Sequence, residues 1–262
     1  MKLTVVGCSG SFPGPDSPAS CYLLQEQHNG RVWNLLLDLG NGALGPLQRH
    51  IGLHQIDAIV ISHLHPDHCM DLCGLFVVQK YDPIALGEQR PPIPVFGPQD
   101  TGARISRANG VTVAETRDVH GLDPQFDFKT LRSGITFRVG PFTITPTRVN
   151  HPVEAYGVRV EAGGRSLAYT GDTDACPALA GLLGGADLAL ADAAFVEGRD
   201  TIEGIHLSGA RAAQAALDAG GVARLMLTHI PPWNDPEVCL KEASGIWLGE
   251  VELARAGATY DV

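Results

Sequence analysis

A mixed α/β fold is predicted by three features of the sequence. Short apolar runs bounded by glycine, proline, asparagine or aspartate recur along the chain, which is typical of buried strands. Glycine and proline supply 31 and 18 of the 262 residues, more chain-breaking residues than a helical bundle tolerates. The last third of the chain alternates strand-like and helix-like segments. No linker-type segment interrupts the pattern, so we expect one domain spanning residues 1–262.

The first two-thirds of the chain predicts two series of strands. The first series covers residues 3–6, 21–24, 32–38 and 57–61, and the second covers residues 135–139, 142–149, 156–160 and 166–170. Residues 81–98 carry five prolines and are interpreted as an extended connection, because proline has no backbone N–H to donate within a helix or sheet.

The last third predicts strands at residues 188–191 and 224–228, a helix at residues 209–219 and another that opens at Asp235. Ser208 and Asp235 are residue types that cap helix N-termini, and Pro236 suits a first helical position. The pair Gly220-Gly221 is typical of a helix C-terminal stop.

The charge balance excludes one class of function. Lys and Arg number 19 against 29 Asp and Glu, a formal net charge of -10. A surface that coats nucleic acid needs clustered cations, so we exclude a wholly basic nucleic-acid-binding protein. Bound metal ions can still provide local positive charge for phosphate chemistry. No apolar stretch approaches the roughly 20 residues of a membrane span, and we expect a cytoplasmic protein that does not enter membranes.

Six cysteines lack any paired C-x-x-C spacing, which agrees with a reducing compartment. Cys69 and Cys73 are four residues apart, close to a histidine cluster. They are candidate metal ligands by position, but burial as small apolar side chains is the favoured interpretation.

That cluster is His63-Leu64-His65-Pro66-Asp67-His68, which directly follows the predicted strand at residues 57–61. The carboxyl end of a strand is where α/β sheets place their functional sites. Imidazole nitrogens and carboxylate oxygens are ligands that zinc and similar divalent metal ions bind. The hexapeptide therefore predicts a metal site.

The hexapeptide resembles the HxHxDH signature of the metallo-β-lactamase superfamily. This resemblance implies a four-layer αββα sandwich, and it implies further ligands in a fixed order, which the sequence supplies as His151, Asp172 and His229. One ion would take His63, His65 and His151, the other Asp67, His68 and His229, with Asp172 shared between them. We expect two divalent ions, zinc in the first place, although manganese or iron suits the same donors. A hydroxide between them would be the nucleophile.

A second match narrows the resemblance to the ribonuclease Z-like phosphodiesterases. His206-Leu207-Ser208 precedes His229 by 23 residues and is similar to their HxT element, whose histidine stabilises charge or protonates the leaving oxygen. Asp192 stands where those relatives carry a glutamate that orients an imidazole. The candidate catalytic residues are His206, Asp192 and Asp67, the last of which is also an expected metal ligand. The aspartate is the shorter side chain, so its reach to His206 is left open.

The segment between His151 and Asp172 favours a small substrate. Ribonuclease Z proteins that trim tRNA carry a basic arm there, but only 21 residues separate the two positions, room for two strands and a turn at Gly163-Gly164. Residues 7–20 and 227–233 resemble atypical bacterial cyclic-nucleotide phosphodiesterases. We therefore expect a phosphodiesterase acting on a small phosphodiester, foremost a cyclic nucleotide.

Alternative functions are compatible with the same residues. A ribonuclease Z-type tRNA 3′-processing endonuclease is the second candidate, with RNA binding disfavoured by the missing arm. A thioesterase or lactonase shares the metal site but leaves His206 without a clear task.

Phe12, Phe76 and Trp233 are candidate base-stacking residues, although core packing is favoured for each one. The apolar residues 72–78 are a candidate homodimer face.

Overall fold

The computed structural model of the chain describes residues 1–83 and 91–262. Its strands form two mixed sheets. The strands of the first sheet are β1 (Lys2–Gly7), β2 (Cys21–His28), β3 (Arg31–Leu37), β4 (Ala58–Val60), β5 (Ile93–Gly97), β6 (Phe126–Thr130) and β14 (Thr259–Asp261). Their order is β14-β1-β2-β3-β4-β5-β6. Strands β3 to β6 run parallel, whereas β14, β1, β2 and β3 pair antiparallel.

The second sheet repeats this plan. Its strands are β7 (Phe137–Val139), β8 (Phe142–Arg148), β9 (Tyr156–Ala162), β10 (Arg165–Tyr169), β11 (Leu188–Asp192), β12 (Leu225–Thr228) and β13 (Val251–Leu253). Their order is β13-β12-β11-β10-β9-β8-β7. Strands β10 to β13 are parallel, while β7 to β10 are antiparallel. The carboxyl ends of the parallel strands therefore form an edge in each sheet.

Helices connect and cover the strands. In the described part of the chain they are α1 (Leu44–Leu47), α2 (Pro66–Cys69), α3 (Leu72–Tyr81), α4 (Thr101–Asn109), α5 (Val113–Arg117), α6 (Ala178–Leu183), α7 (Gly209–Asp218) and α8 (Pro236–Ser244), with a 3₁₀ turn at Leu53–Gln55. The predicted caps are confirmed. Ser208 accepts a hydrogen bond from the Arg211 N–H, and Asp235 accepts one from the Glu237 N–H.

The core shows why four layers form. Along β4, Ala58 and Val60 face a core between the two sheets, while Ile59 faces a core beneath α3. Along β11, Leu190 faces the inter-sheet core and Ala189 packs under α6 and α7. Strand side chains alternate between faces, so each sheet buries one face against the other sheet and one against helices. The αββα sandwich is confirmed in the described residues.

Several predicted elements need correction. The extended connection is wrong at residues 93–97, which form the buried strand β5, and residues 84–90 of that prediction lie outside the described residues. The prolines obscured the alternation of Ile93, Val95 and Gly97, whose positions are buried. Strand β6 was also not predicted, because Phe126 and Phe128 alternate with charged residues and leave only two apolar positions. Helices α4 and α5 were not predicted either.

Other expectations about packing are met. Cys69 is buried in the core under α3, Cys73 packs against that core, and burial raises the pKa of both thiols. Phe76 lies in the same core. Within residues 1–83 and 91–262, no helix combines the length and the apolar character needed to cross a bilayer.

Candidate active site

The site lies where strands of both sheets end. His63 and its neighbours follow β4, Asp172 follows β10, and His229 follows β12 directly. His151 comes just after β8. Pro66 is the first residue of α2, so the chain turns into a helix between His65 and Asp67. Residues far apart in sequence thus converge on one edge of the sandwich.

Two groups of donor atoms share one carboxylate. His63, His65, His151 and Asp172 form the first group, and Asp67, His68, His229 and Asp172 form the second; within each group the donor atoms lie within 4.8 Å of one another. In the first, His63 Nε2 lies 2.9 Å from His65 Nδ1. In the second, the Nε2 atoms of His68 and His229 each lie 3.2 Å from an Asp172 oxygen. The structure brings all seven expected ligands together.

The residues present fit divalent metal ions. Three buried atoms of the second group, His68 Nε2, His229 Nε2 and Asp172 Oδ1, have no hydrogen-bond partner. Buried polar atoms are almost always paired, and leaving them unpaired costs free energy. All three point to the place between the donors, where a cation would satisfy them. Imidazole and carboxylate donors are also the types that zinc, manganese and iron accept.

Several of these side chains are held in the protonation state that binds a metal ion, which is neutral for histidine and ionised for aspartate. Burial is the main cause that lowers the pKa of His63, His65 and His151, which keeps these imidazoles neutral. Burial tends to raise the pKa of Asp67, but His68 and His229 outweigh it and lower that pKa to about 2. Asp172 is likewise held ionised, since the nearby histidines lower its pKa despite burial.

Asp38 is a site residue that was not predicted. It follows β3, is fully buried, and accepts a hydrogen bond from His68 Nδ1 at 2.7 Å. Its carboxylate also accepts hydrogen bonds from the Tyr169 hydroxyl and from Ser62. A carboxylate on the far nitrogen fixes the tautomer and orientation of a ligating histidine. The available signal was one acidic residue within the apolar run of residues 35–39.

Three other imidazoles are oriented by hydroxyl or carbonyl oxygens at Nδ1. His63 Nδ1 lies 3.1 Å from Ser62 Oγ, and His229 Nδ1 lies 3.1 Å from Ser20 Oγ. His151 Nδ1 donates to the backbone oxygen of Ile205 at 2.9 Å. In each case Nε2 is left to face the donor group. These partners carry no motif of their own, which is why the sequence did not reveal them.

Two of the four non-glycine residues with a positive φ among the described residues lie at the site. Asp38 and His229 both have a φ of +59°, a left-handed conformation that non-glycine residues rarely adopt. Each such residue costs about 1 kcal/mol or more and persists where surrounding contacts enforce it. Contacts of the surrounding fold therefore hold these two residues in a strained conformation at the site.

His206 stands beside the donor groups and is paired with Asp192. Its Nδ1 lies 2.9 Å from Asp192 Oδ2, so the shorter aspartate does reach the imidazole. The carboxylate is held in turn by the N–H groups of Thr173 and Ala194. Donor atoms of His206, Asp192 and Asp172 lie within 4.8 Å of one another. The pair therefore adjoins the carboxylate shared by both groups.

The loop that carries His206 is anchored behind the site. Arg211 on α7 pairs with Asp174 at 2.6 Å, and Asp174 also accepts a hydrogen bond from the Gly204 N–H. The ring of Phe195 packs edge-on against His206 with centroids 5.1 Å apart. These contacts hold the ring of His206 in the position in which it pairs with Asp192. By contrast, His28, His50, His54 and His120 belong to none of the donor groups found among the described residues.

Comparison with known proteins agrees with this geometry. A family model described as the β-lactamase superfamily domain matches residues 33–230. An uncharacterised protein of Mycobacterium leprae is 40% identical over 264 residues, which cover 100% of this chain and 89% of that protein. A ribonuclease Z of Mycobacterium bovis is 27% identical over 267 residues, covering 90% of this chain and 88% of the relative.

A solved structure shows the same fold. The crystal structure of YhfI from Bacillus subtilis, a metallo-β-lactamase fold protein, superposes with a TM-score of 0.83 at 26% identity and covers 99% of both chains. In sequence YhfI, which is described as a probable metallo-hydrolase, is 29% identical over 267 residues and matches 100% of each chain. From the matched family, the relatives and the assembled donor groups, we conclude that this chain belongs to the β-lactamase superfamily and is a metallo-hydrolase of its ribonuclease Z-like branch.

Proposed function

We propose that the protein is a phosphodiesterase that uses two divalent metal ions to hydrolyse a small phosphodiester, foremost a cyclic nucleotide. The observation that carries this proposal is the His206–Asp192 pair beside Asp172. A phosphodiester needs a proton donor for its departing alkoxide, and a paired imidazole provides one. Six free cysteines, all within the described residues, suit the reducing cytoplasm that we propose as its location.

The two donor groups would each hold one ion, and Asp172 would contact both. Zinc is the first choice, with manganese or iron accepted by the same donors. Ions bound there would lower the pKa of a water molecule and offset the negative charge of a phosphodiester. Asp67 combines a low pKa with a position in the second group, so it remains ionised and able to orient a water by accepting its hydrogen bond.

His206 would act as the proton donor. Burial by itself lowers the pKa of His206, but the Asp192 carboxylate outweighs this and raises it to about 9. The imidazole is therefore protonated at neutral pH. With Nδ1 donating to Asp192, Nε2–H remains available to donate to the leaving oxygen. Asp192 keeps the ring in this orientation and stabilises its positive charge.

The second sheet supports the choice of a small substrate. Between His151 and Asp172 the chain forms β9 and β10, joined by a turn at Gly163 and Gly164. These residues leave no room for an inserted arm. Recognition of a folded tRNA requires several cationic contacts to phosphates, which the net charge of -10 makes harder to supply. A tRNA 3′-processing endonuclease remains the alternative, followed by a thioesterase or lactonase.

One comparison of substrates tests the proposal. The zinc-loaded protein is offered cyclic AMP, bis(p-nitrophenyl) phosphate, a precursor tRNA, an acyl thioester and a lactone, and kcat/KM is measured for each. We expect cyclic AMP to have the highest value among the natural substrate types. Preferred cleavage of the precursor tRNA at physiological salt would establish the endonuclease instead. Preferred hydrolysis of the thioester or lactone would reject phosphodiester chemistry altogether.

The Asp192→Asn variant tests the proton donor through pH. Protonated His206 is the active form, so its contribution to catalysis is present below about pH 9 and is lost as the pH rises through its pKa of about 9. Without the carboxylate, burial lowers the pKa of His206, and the alkaline limb of the kcat profile moves to lower pH. An unchanged limb in this variant, measured on cyclic AMP, would show that Asp192 does not govern the proton donor.

A further inference from the structure

Two aromatic side chains lie together on the surface, contrary to the core packing favoured for each from the sequence. Phe12 is 41% exposed and Trp233 is 61% exposed. Their ring centroids are 5.1 Å apart with an interplanar angle of 39°, within the usual range for an attractive aromatic pair. Such a pair exposes aromatic surface to water, and exposed apolar patches often mark binding sites. We name Phe12 and Trp233 the aromatic pair.

The aromatic pair adjoins the second donor group through the backbone. Gly10 N–H donates to the Ile230 oxygen at 3.2 Å. A Cβ atom on Gly10 would lie 2.2 Å from the His229 oxygen and 3.1 Å from its ring atom Cδ2. Gly10 therefore touches His229 directly, and only glycine fits there. Phe12 is two residues further on, at most roughly 8 Å along the chain.

Both aromatic residues are held on fixed turns. Ser11, which precedes Phe12, has a φ of +63°, and the Phe12 oxygen accepts a hydrogen bond from Ser9 Oγ. On the other side, Asn234 N–H donates to the Pro231 oxygen and Asn234 Nδ2 donates to the Ala194 oxygen. The turn with Trp233 begins directly after His229 and Ile230. The pair is thus preorganised, which lowers the entropy lost on binding a ligand.

We propose that the aromatic pair binds the nucleobase of the substrate while the phosphodiester occupies the metal centre. This assignment rests on the proposed function and extends it to a nucleotide-specific enzyme. A planar base is the occupant that suits two exposed rings, because stacking uses the face of any base and needs no hydrogen-bond pattern. The pair would therefore select for nucleotides over other phosphodiesters and discriminate weakly among bases.

The test compares two substrates that share one reacting group. Cyclic AMP and the 3′,5′-cyclic phosphate of methyl riboside have the same phosphodiester ring, but the second lacks a base. For each substrate we measure kcat/KM, and we divide the value for cyclic AMP by the value for the substrate without a base. In the zinc-loaded Trp233→Ala and Phe12→Ala variants we expect this ratio to fall about tenfold, mainly because KM for cyclic AMP rises. Trp233→Phe, which keeps a ring, should retain most of the ratio.

Leu248→Ala provides the matched control. Leu248 is an apolar side chain that is 99% exposed, and it precedes β13, which runs parallel to β12. Leu248 therefore lies at the amino-terminal end of these strands, whereas His229 lies at their carboxyl-terminal end. The substrate ratio of this variant should equal that of the wild type. Equal ratios in the wild type and both alanine variants would overturn the proposal, as would alanine variants that change only the oligomeric state.

A binding measurement separates this proposal from the proposed function. Adenosine monophosphate added to the zinc-loaded protein should quench the fluorescence of Trp233, and Trp233→Phe, which keeps Trp33 and Trp247, should lose that quenching. If the wild type hydrolyses neither cyclic phosphate but shows the quenching, the proposed function fails while the base site stands. If adenosine monophosphate does not quench the fluorescence of Trp233, the base site is overturned, whatever the activity.

Discussion

Asp172→Ala is expected to lose bound metal and phosphodiester turnover together. Asp172 is the carboxylate present in both donor groups, and its removal leaves buried histidine nitrogens without a charge to balance a cation. We expect kcat to fall by about 10³ or more, because the water activation and charge stabilisation that the ions supply are both lost. Elemental analysis of the purified variant and steady-state kinetics on cyclic AMP measure the two effects.

Two further variants distinguish a specific loss of metal from a general loss of structure. Asp172→Asn keeps the volume of the side chain but not its charge, so it should remain folded by circular dichroism and still lose metal. Asp218→Ala removes an exposed aspartate on α7 and should retain both metal and turnover. An Asp172→Ala protein that carried two ions per chain and turned over normally would contradict the assignment of Asp172 as the shared ligand.

His206→Ala should have a different effect, with both ions retained and turnover strongly reduced. His206 pairs with Asp192 rather than belonging to either of the two groups that hold the expected ligands. Loss of a proton donor typically reduces a rate by about 10² to 10⁴, so we expect kcat on cyclic AMP to fall by at least about 10². The metal content by elemental analysis should equal that of the wild type.

The leaving group distinguishes a proton donor from a structural residue. The alkoxide that departs from cyclic AMP needs a proton, whereas p-nitrophenolate leaves readily without one. His206→Ala should therefore lose much less activity on bis(p-nitrophenyl) phosphate than on cyclic AMP. His206→Gln, which keeps a polar side chain near Asp192, should behave in the same way. Equal losses on both substrates would show that His206 serves only to maintain the structure.

Much of the fold could be predicted from local pattern. The strands with continuous apolar runs, such as those that end at Val60 and Asp192, were located because burial on both faces demands apolar residues throughout. Strands β5 and β6 were not, since prolines mask the first and charged residues alternate along the second. The four layers followed from the resemblance to a known family rather than from periodicity.

The sequence by itself determined the chemical character of the site. His63, His65, Asp67 and His68 are neighbours in the chain, so their donor types and the expected metal chemistry are visible without coordinates. The order of His151, Asp172 and His229 added the remaining ligands through family resemblance. These features depend on residue type and on short spacing, which a sequence records directly.

Only the tertiary structure decided how these groups are supported and what surrounds them. Asp38 meets Tyr169 across 131 positions of the chain, Asp192 reaches His206 through a particular loop path, and Phe12 meets Trp233 on the surface instead of in the core. Each contact arises because separate strand ends and loops converge in space. Local spacing does not encode that convergence, since it results from the packing of two whole sheets.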